Sequence, residues 1–393
     1  MTVSCLFLLS PGCTRQDLPV IRAGRHRVVT KPLQNEIVIA AVGDIMMPAS
    51  IQTSVMGHKN GYDLLFEKVK SELSAADITF ANLETPVDPR NPASGYPRFN
   101  ARPELLSAMR RAGISAVSLA NNHAMDQDSE GLKRSIDAVE SSGLIFAGAG
   151  RTKTEAAKTT IVKVRDVTVA FLAFTYDTNR GLPGRDRRKA EKPGVNFIRT
   201  GSDHDLAAAA ASIRHARSGA DLVVVSIHWG EEYSRDPTAW QRRVAADLVE
   251  AGADLILGHH PHVLQPLQTV AAADGRAALV AFSLGNFIST QHAGIFHFNK
   301  THEKALRGDG IILYITAVKN KGRAKIRQAE FLPVWTLRDS IAGRALYRPV
   351  SLTREIDSRM RTGSKNDDKN MLDLLTHRYD AIMKTVAAQS PVR

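Results

Sequence analysis

Three histidines fall within four positions in the stretch Gly258-His259-His260-Pro261-His262. The apolar run "ADLIL" leads into it, so these imidazoles stand at the end of what reads as a buried strand. Imidazole ligates borderline divalent metals and carries protons near neutral pH. Neighbouring side chains on an extended segment point opposite ways. Pro261 restricts the local backbone and leaves His259 and His262 three positions apart. Two such histidines can enter one cavity from different sides. With carboxylates between them they can serve two adjacent cations, which together clamp the oxygens of a phosphoryl transfer.

Ligand-type residues recur at the ends of other apolar runs. "EIVIAAVG" runs into Asp44, "DITFAN" into Glu84, and "ISAVSLAN" into Asn121, Asn122 and His123. "ADLVVVSIH" ends in His228, and "RAALVAFSLG" is followed by Asn286. Each has an ordinary structural reading alone. Asp44 after Gly43 suits a turn or cap, Glu84 can face water, and His228 can be a satisfied buried histidine. Jointly they have one explanation, which is convergence on one or two divalent cations. A mixture of Asp, Glu, Asn and His suits Mn, Fe or Zn; calcium would not take this much imidazole.

The elements that must position these groups alternate. Apolar strands are separated by helices expected over 61–73, 102–112, 129–142, 204–218 and about 238–251. Two hairpins interrupt the pattern, "TTIVKV" with "VTVAFLAF" and "GIILYITAVK" with "AKIRQAEFLPVW". Such alternation predicts a layered α/β fold whose functional groups collect at the carboxyl ends of strands. Residues 14–35 read as a polar linker. Residues 176–202 read as a long basic loop, whose Arg180, Arg185, Arg187 and Arg188 either grip a polyanion or are solvated. We divide the chain into a signal-like segment and linker (1–35), a main domain (36–340) and a partly helical C-terminal extension (341–393).

With 43% apolar residues, the 393-residue chain can bury a sizeable core. Its formal net charge of +12 favours anionic partners. No Lys/Arg block interleaved with aromatics is present, so nucleic acid is not an expected partner. Both cysteines, Cys5 and Cys13, lie in the first 13 residues, which excludes a disulfide framework or cysteine metal site in the body. Residues 3–9 are mostly apolar, and Gly12-Cys13 resembles the end of a bacterial lipoprotein box. This predicts an extracytoplasmic, envelope-associated protein lipid-anchored through Cys13. The missing positive n-region keeps a cytoplasmic location as the alternative. No run reaches 18 apolar residues, so the body is not expected to cross a membrane.

The ordered segments "VGDIMM", "NLETP", "SLANNHAMD", "IHWGEEY", "GHHPHVLQP" and "FSLGNF" resemble the bacterial capsule / poly-gamma-glutamate biosynthesis proteins of the CapA type. That group is similar to calcineurin-like metallophosphatases. The resemblance covers roughly residues 37–335 and implies a four-layer α-β-β-α sandwich of the metallophosphatase type. It implies a metal-dependent phosphoesterase-like protein in polymer synthesis, export or anchoring, working beside a membrane-bound synthase complex. The rival is a non-catalytic polyanion-binding accessory protein. By the same resemblance, Asp44, Glu84 and His262 hold one metal. Asn122, His228 and His259 hold the other, with Glu84 bridging, and His123 protonates the leaving group. Met46 stands where metallophosphatases have a ligand histidine, and Asp128 stands where the group usually has glycine, so a local turn change is expected there. Glu231 and Glu232 are candidates to orient His228 or bind a substrate amine. His260 is a candidate for second-sphere, surface or ligand roles, and Asn121 for a supporting one. Asn286 either caps a turn or reaches the site.

Overall fold

A computed structural model describes residues 20–24, 33–58, 60–180, 193–292, 303–341, 343–362 and 366–387. The expectations for Cys5, Cys13, Arg185, Arg187 and Arg188 lie outside the described residues.

In chain order the elements begin with β1 (Val20–Ala23), β2 (Glu36–Ile45), α1 (Ala49–Val55), α2 (Lys70–Leu73), β3 (Ile78–Leu83), α3 (Glu104–Ala112), β4 (Ala116–Ser118), α4 (Asp128–Ser141), β5 (Ile145–Ala147) and β6 (Ala149–Gly150). They continue with α5 (Lys153–Ala156), β7 (Thr160–Val164), β8 (Val167–Thr175), β9 (Gly194–Val195), α6 (Asp203–Gly219), β10 (Leu222–His228), α7 (Ala239–Ala251), β11 (Leu255–His259), β12 (Leu267–Ala271) and β13 (Ala277–Ala281). Then come β14 (Asn286–Ile288), β15 (Asp309–Lys319), β16 (Ala324–Ile341), β17 (Arg344–Ser351), α8 (Leu352–Thr362) and α9 (Asn366–Ala387).

The result is a mixed α/β fold with several sheets. The nine-stranded sheet has the path β1-β16-β15-β2-β3-β4-β5, with β14 on β2 and β17 on β16. Its β2 to β5 section is parallel, and β15 closes antiparallel on β2. The six-stranded sheet runs β12-β13-β11-β10-β8-β7, with a parallel centre and antiparallel strands at both edges.

The two sheets share a core. Val167, Val169 and Phe171 of β8, Leu222 and Val224 of β10, and Leu255 and Leu257 of β11 join the cluster of the nine-stranded sheet. Across that boundary the Phe80 and Phe171 rings stack at 5.8 Å. The alternate residues Leu172, Val223, Val225 and Ile256 turn to α6 and α7, meeting Ile213, Val244 and Leu248. A strand buried on both faces needs apolar residues at every position, which is why these runs do not alternate with polar residues.

Register then sets the polar ends side by side. Asp44 pairs across from Asn82 and Asn286, and His228 across from His259. Two glycines permit this. A Cβ at Gly43 would lie 1.9 Å from the Gly285 carbonyl oxygen, and one at Gly258 would lie 2.0 Å from that of Phe282. Any side chain there would force the strand ends apart.

Several elements differ from expectation. Residues 61–73 do not form one helix. They make two short 3-10 turns, Gly61–Leu65 and Glu67–Val69, before the single turn of α2. Leu64, Leu65 and Phe66 are all buried, and three consecutive residues cannot share one stripe of a regular helix. The segment read as a linker contributes β1, which runs parallel to β16. β12 and β17 are not among the expected strands; each is an antiparallel partner whose recruitment depends on another strand. The hairpins β7–β8 and β15–β16 form as expected. No helix among the described residues is long and apolar enough to cross a membrane.

Candidate metal centre

The ends of β2, β3, β10, β11 and β14, with the turn after β4, bring Asp44, Glu84, Asn121, Asn122, His123, His228, His259, His260, His262 and Asn286 into the interior, and all are buried. Asn82 Nδ2 donates to Asp44 Oδ1 at 2.8 Å, and the His260 backbone N–H donates to Oδ2 at 3.3 Å. His262 Nδ1 lies 3.3 Å from Asp44 Oδ2, and His259 Nδ1 lies 3.2 Å from Oδ1. The Glu84 Oε1 atom is 3.5 Å from His228 Nε2 and 3.7 Å from His262 Nε2. Asn122 Oδ1 is 3.1 Å from His228 Nε2.

Three groups of side chains converge closely enough to hold a cation. They are Asp44, Glu84 and His262; Glu84, His228 and His260; and Glu232, His260 and His262. Glu84 is common to the first two. The pair from the histidine stretch that enters these groups is His260 with His262, whereas His259 packs against the opposite oxygen of Asp44. Backbone conformation explains this. His260 and His262 both take left-handed φ values, 95° and 56°, on either side of Pro261. Such values are costly for residues with a Cβ and persist only where surroundings impose them. They bring the His260 and His262 rings to 5.8 Å of each other.

The donor set fits a divalent cation. Both Glu84 carboxylate oxygens, both His259 ring nitrogens and His260 Nδ1 are buried without a hydrogen-bond partner. An orphaned buried polar atom costs about 1–3 kcal/mol, and a cation would satisfy several at once. Met46 is buried beside the strand end and adds no hard donor.

Electrostatics follow from this crowding. Burial, reinforced by the charges of Asp44, Glu232 and Asp126, pushes the Glu84 carboxyl well above the usual range. Burial pushes Asp44 the same way, but the close approach of the His259 and His262 imidazoles to its two oxygens outweighs it and holds Asp44 well below the usual range. Burial and the neighbouring imidazoles push His228 well down, and His260 down to about 3. A neutral imidazole is the form that binds metal.

His123 borders the cavity and carries its own support. Its Nδ1 lies 2.7 Å from Asp126 Oδ2, and the same oxygen accepts the Phe99 backbone N–H at 2.8 Å. The Phe99 ring meets the imidazole edge-on at 4.6 Å, and Asn121 Oδ1 accepts the His123 backbone N–H at 3.1 Å. Asn179 Nδ2 lies 3.4 Å from His123 Nε2. Asp126, Phe99 and Asn179 are not singled out by the sequence. Only Asp126 leaves a signal there, as the carboxylate three positions after His123. Asp128 has φ 59°, the conformation glycine favours, and its carboxylate is gripped by Arg98 and Arg180 at 2.9 and 3.0 Å.

The remaining candidates sort by position. Asn286 reaches the site, with Oδ1 3.1 Å from His262 Nδ1 and Nδ2 donating to the His262 carbonyl at 3.2 Å. Glu231 and Glu232 are exposed, and Glu232 stands at the mouth beside His260 and His262. Their loop is anchored by a capping box in which Thr238 accepts from the Gln241 N–H and Gln241 Oε1 accepts from the Thr238 N–H. Gln241 Nε2 also donates to Gln265 Oε1 at 3.0 Å, tying that loop to the segment after the histidines.

A family model described as "Bacterial capsule synthesis protein PGA_cap" matches residues 38–291. The chain is 32% identical to the capsule biosynthesis protein CapA of Bacillus anthracis over 86% of this chain and 78% of that one. It is 30% identical to the PGA biosynthesis protein CapA of Bacillus subtilis over 79% and 76%. A solved structure, the calcineurin-like phosphoesterase YfkN from Bacillus subtilis, is a distant likeness at 14% identity and TM-score 0.41, covering 89% of this chain and 99% of that one. The match across most of its length shows that this chain belongs to the bacterial capsule synthesis protein PGA_cap family.

Proposed function

We propose that the protein is a metal-dependent phosphoesterase-like component of poly-gamma-glutamate or capsule polymer synthesis, export or anchoring. It would work in the cell envelope, with residues 36–340 as its functional unit and a four-layer α-β-β-α sandwich as its fold. The observation that carries this reading is the Glu84 carboxylate, fully buried, without a hydrogen-bond donor, and set between Asp44, His228, His260 and His262. Glu84, His228 and His260 would hold one ion, with Asn122 beside His228. Asp44, Glu84 and His262 would hold a second. A divalent ion bound there supplies neutralisation of oxyanion charge. Asp126 fixes the His123 ring through Nδ1 and so leaves Nε2 to deliver a proton to a departing oxygen. Phe99 limits rotation of that ring, and Asn82 holds Asp44 in its orientation.

The test is elemental analysis of purified protein together with a phosphomonoester and phosphodiester screen in the presence of Mn, Fe or Zn. Bound metal with turnover that falls in His123→Ala supports the reading. Protein that takes up no metal overturns it. The second reading is a metal-holding, non-catalytic protein that binds the anionic polymer. Met46 at a position lacking an imidazole and the net charge of +12 favour it. Bound metal without turnover, with salt-sensitive binding of polyglutamate, would select that reading.

A further inference from the structure

We propose that Arg307 and Tyr233 form an oxyanion-binding subsite at the mouth of the metal centre. The proposal rests on the reading of that centre given above and names the group of the substrate that docks beside it. The Arg307 guanidinium carbon lies 3.6 Å from the centroid of the Tyr233 ring. That ring in turn lies 6.2 Å from the His262 ring. Both residues are fixed from the site side. The Tyr233 N–H donates to the Pro261 carbonyl at 2.7 Å, and Tyr233 holds a left-handed φ of 66°. The Arg307 carbonyl accepts from Asn286 Nδ2 at 2.8 Å, and Asn286 Oδ1 lies 3.1 Å from His262 Nδ1. Tyr233 therefore faces the His262 imidazole directly, and Arg307 reaches the same imidazole through Asn286.

Arg307 combines a place beside the site with a free charge. Arg98 and Arg180, by contrast, both pair with Asp128. Arg243 pairs with Asp203, and Arg348 with Glu67 and Asp339. Among the described residues, no carboxylate lies within ion-pair distance of Arg307. Glu232, the acidic residue next to Tyr233 in the chain, belongs instead to the group formed with His260 and His262. A guanidinium held over a ring face keeps N–H donors free for a second partner. That fork matches a carboxylate or phosphate bidentately. Tyr233 is 37% exposed, so the platform is reachable from solvent. Two sources supply such an oxyanion here, a phosphate ester or the free carboxylates of a polyglutamate chain.

The experiment is calorimetric titration of the full, metal-loaded chain with inorganic phosphate and, separately, with a γ-linked glutamate oligomer. Wild type is compared with Arg307→Gln, Arg307→Lys and Tyr233→Leu. Arg307→Gln should weaken binding about tenfold or more. Arg307→Lys should recover part of the loss, and Tyr233→Leu should give an intermediate loss with the charge intact. Loss confined to phosphate assigns an ester, and loss confined to the oligomer assigns the polymer carboxylate; either supports the subsite. Equal affinities in wild type and Arg307→Gln for both probes would overturn it, as would wild type binding neither. Metal content measured on the same samples keeps the two ideas apart. A metal-free wild type removes the metal reading, whereas unchanged metal with unchanged anion affinity removes only the Arg307 subsite.

Discussion

Glu84 and Asp88 stand four residues apart after β3, both buried carboxylates, and their surroundings are opposite. Asp88 is saturated. Its Oδ1 accepts from Arg134 Nε at 2.7 Å and the Arg90 N–H at 3.0 Å, and its Oδ2 accepts from a terminal nitrogen of Arg134 at 2.7 Å and Asn91 Nδ2 at 3.0 Å. Its own N–H donates to Asn100 Oδ1 at 2.8 Å, and Asn100 Nδ2 binds the Asp88, Asn91 and Pro92 carbonyls, each at 3.0 Å. Glu84 accepts nothing on either oxygen. A saturated buried carboxylate fixes a loop. An unsaturated one surrounded by imidazoles is relieved by taking up a proton or by a cation.

The largest expected effect lies on the unsaturated side. Glu84→Gln or His260→Ala should lower metal affinity by about a hundredfold or more, read by elemental analysis after dialysis. Metal-free Glu84→Gln should be no less stable than metal-free wild type, because an amide is easier to bury than a carboxylate. Undiminished metal in both variants would erase the contrast between the two regions.

Asp88→Ala should behave inversely. It should keep its metal and lose about 2–3 kcal/mol of unfolding free energy in urea, since Arg134 and Asn91 lose their acceptor. A variant of wild-type stability would show that the Asp88 network is incidental. Chelation sharpens the same division. Removing an ion present at a hundred times its dissociation constant should cost wild type about 2.7 kcal/mol. Glu84→Gln protein should scarcely respond to the chelator, and a response equal to wild type would place the stabilising ion elsewhere.

The smallest effect is acid sensitivity. Burial pushes the Asp88 carboxyl up, but the Arg134 and Arg90 hydrogen bonds and charges outweigh this and hold it below its ordinary value of 3.8. A carboxyl lowered on folding adds stability above its unfolded value, and that stability is lost as pH falls through the folded one. Wild type should therefore lose the Asp88 contribution below about pH 4. Asp88→Asn should show a flatter profile in that range when unfolding is followed by circular dichroism. Parallel profiles would show that Asp88 gains nothing from its partners.

Much of the fold was legible because its central strands are buried on both faces and its helices carry one apolar stripe. The unbroken run from Leu222 to Ile227, with Ser226 its one polar member, reads as a buried strand and forms β10. Three failures share a cause. β1, β12 and β17 are strands through pairing with β16 and β13, and their own residues carry little of that information. The 61–73 segment reads as helical by spacing, yet three consecutive buried side chains break it into short turns. At the site, the residue types at the strand ends were legible from their recurrence. Asp126 and Phe99, which brace His123, were not, because their roles depend on a turn that folds back on itself.

The amino-acid order alone determined which ligand-type groups this protein can offer a cation. It placed carboxylate, amide and imidazole groups after apolar strands, where backbone pairing must bring them to one edge. Only the tertiary structure decided which groups meet. The left-handed turns at His260 and His262 aim both rings into the cavity and leave His259 against the far oxygen of Asp44. Such backbone angles are unfavourable locally, so they arise from packing around the turn and cannot be read from the residues that adopt them.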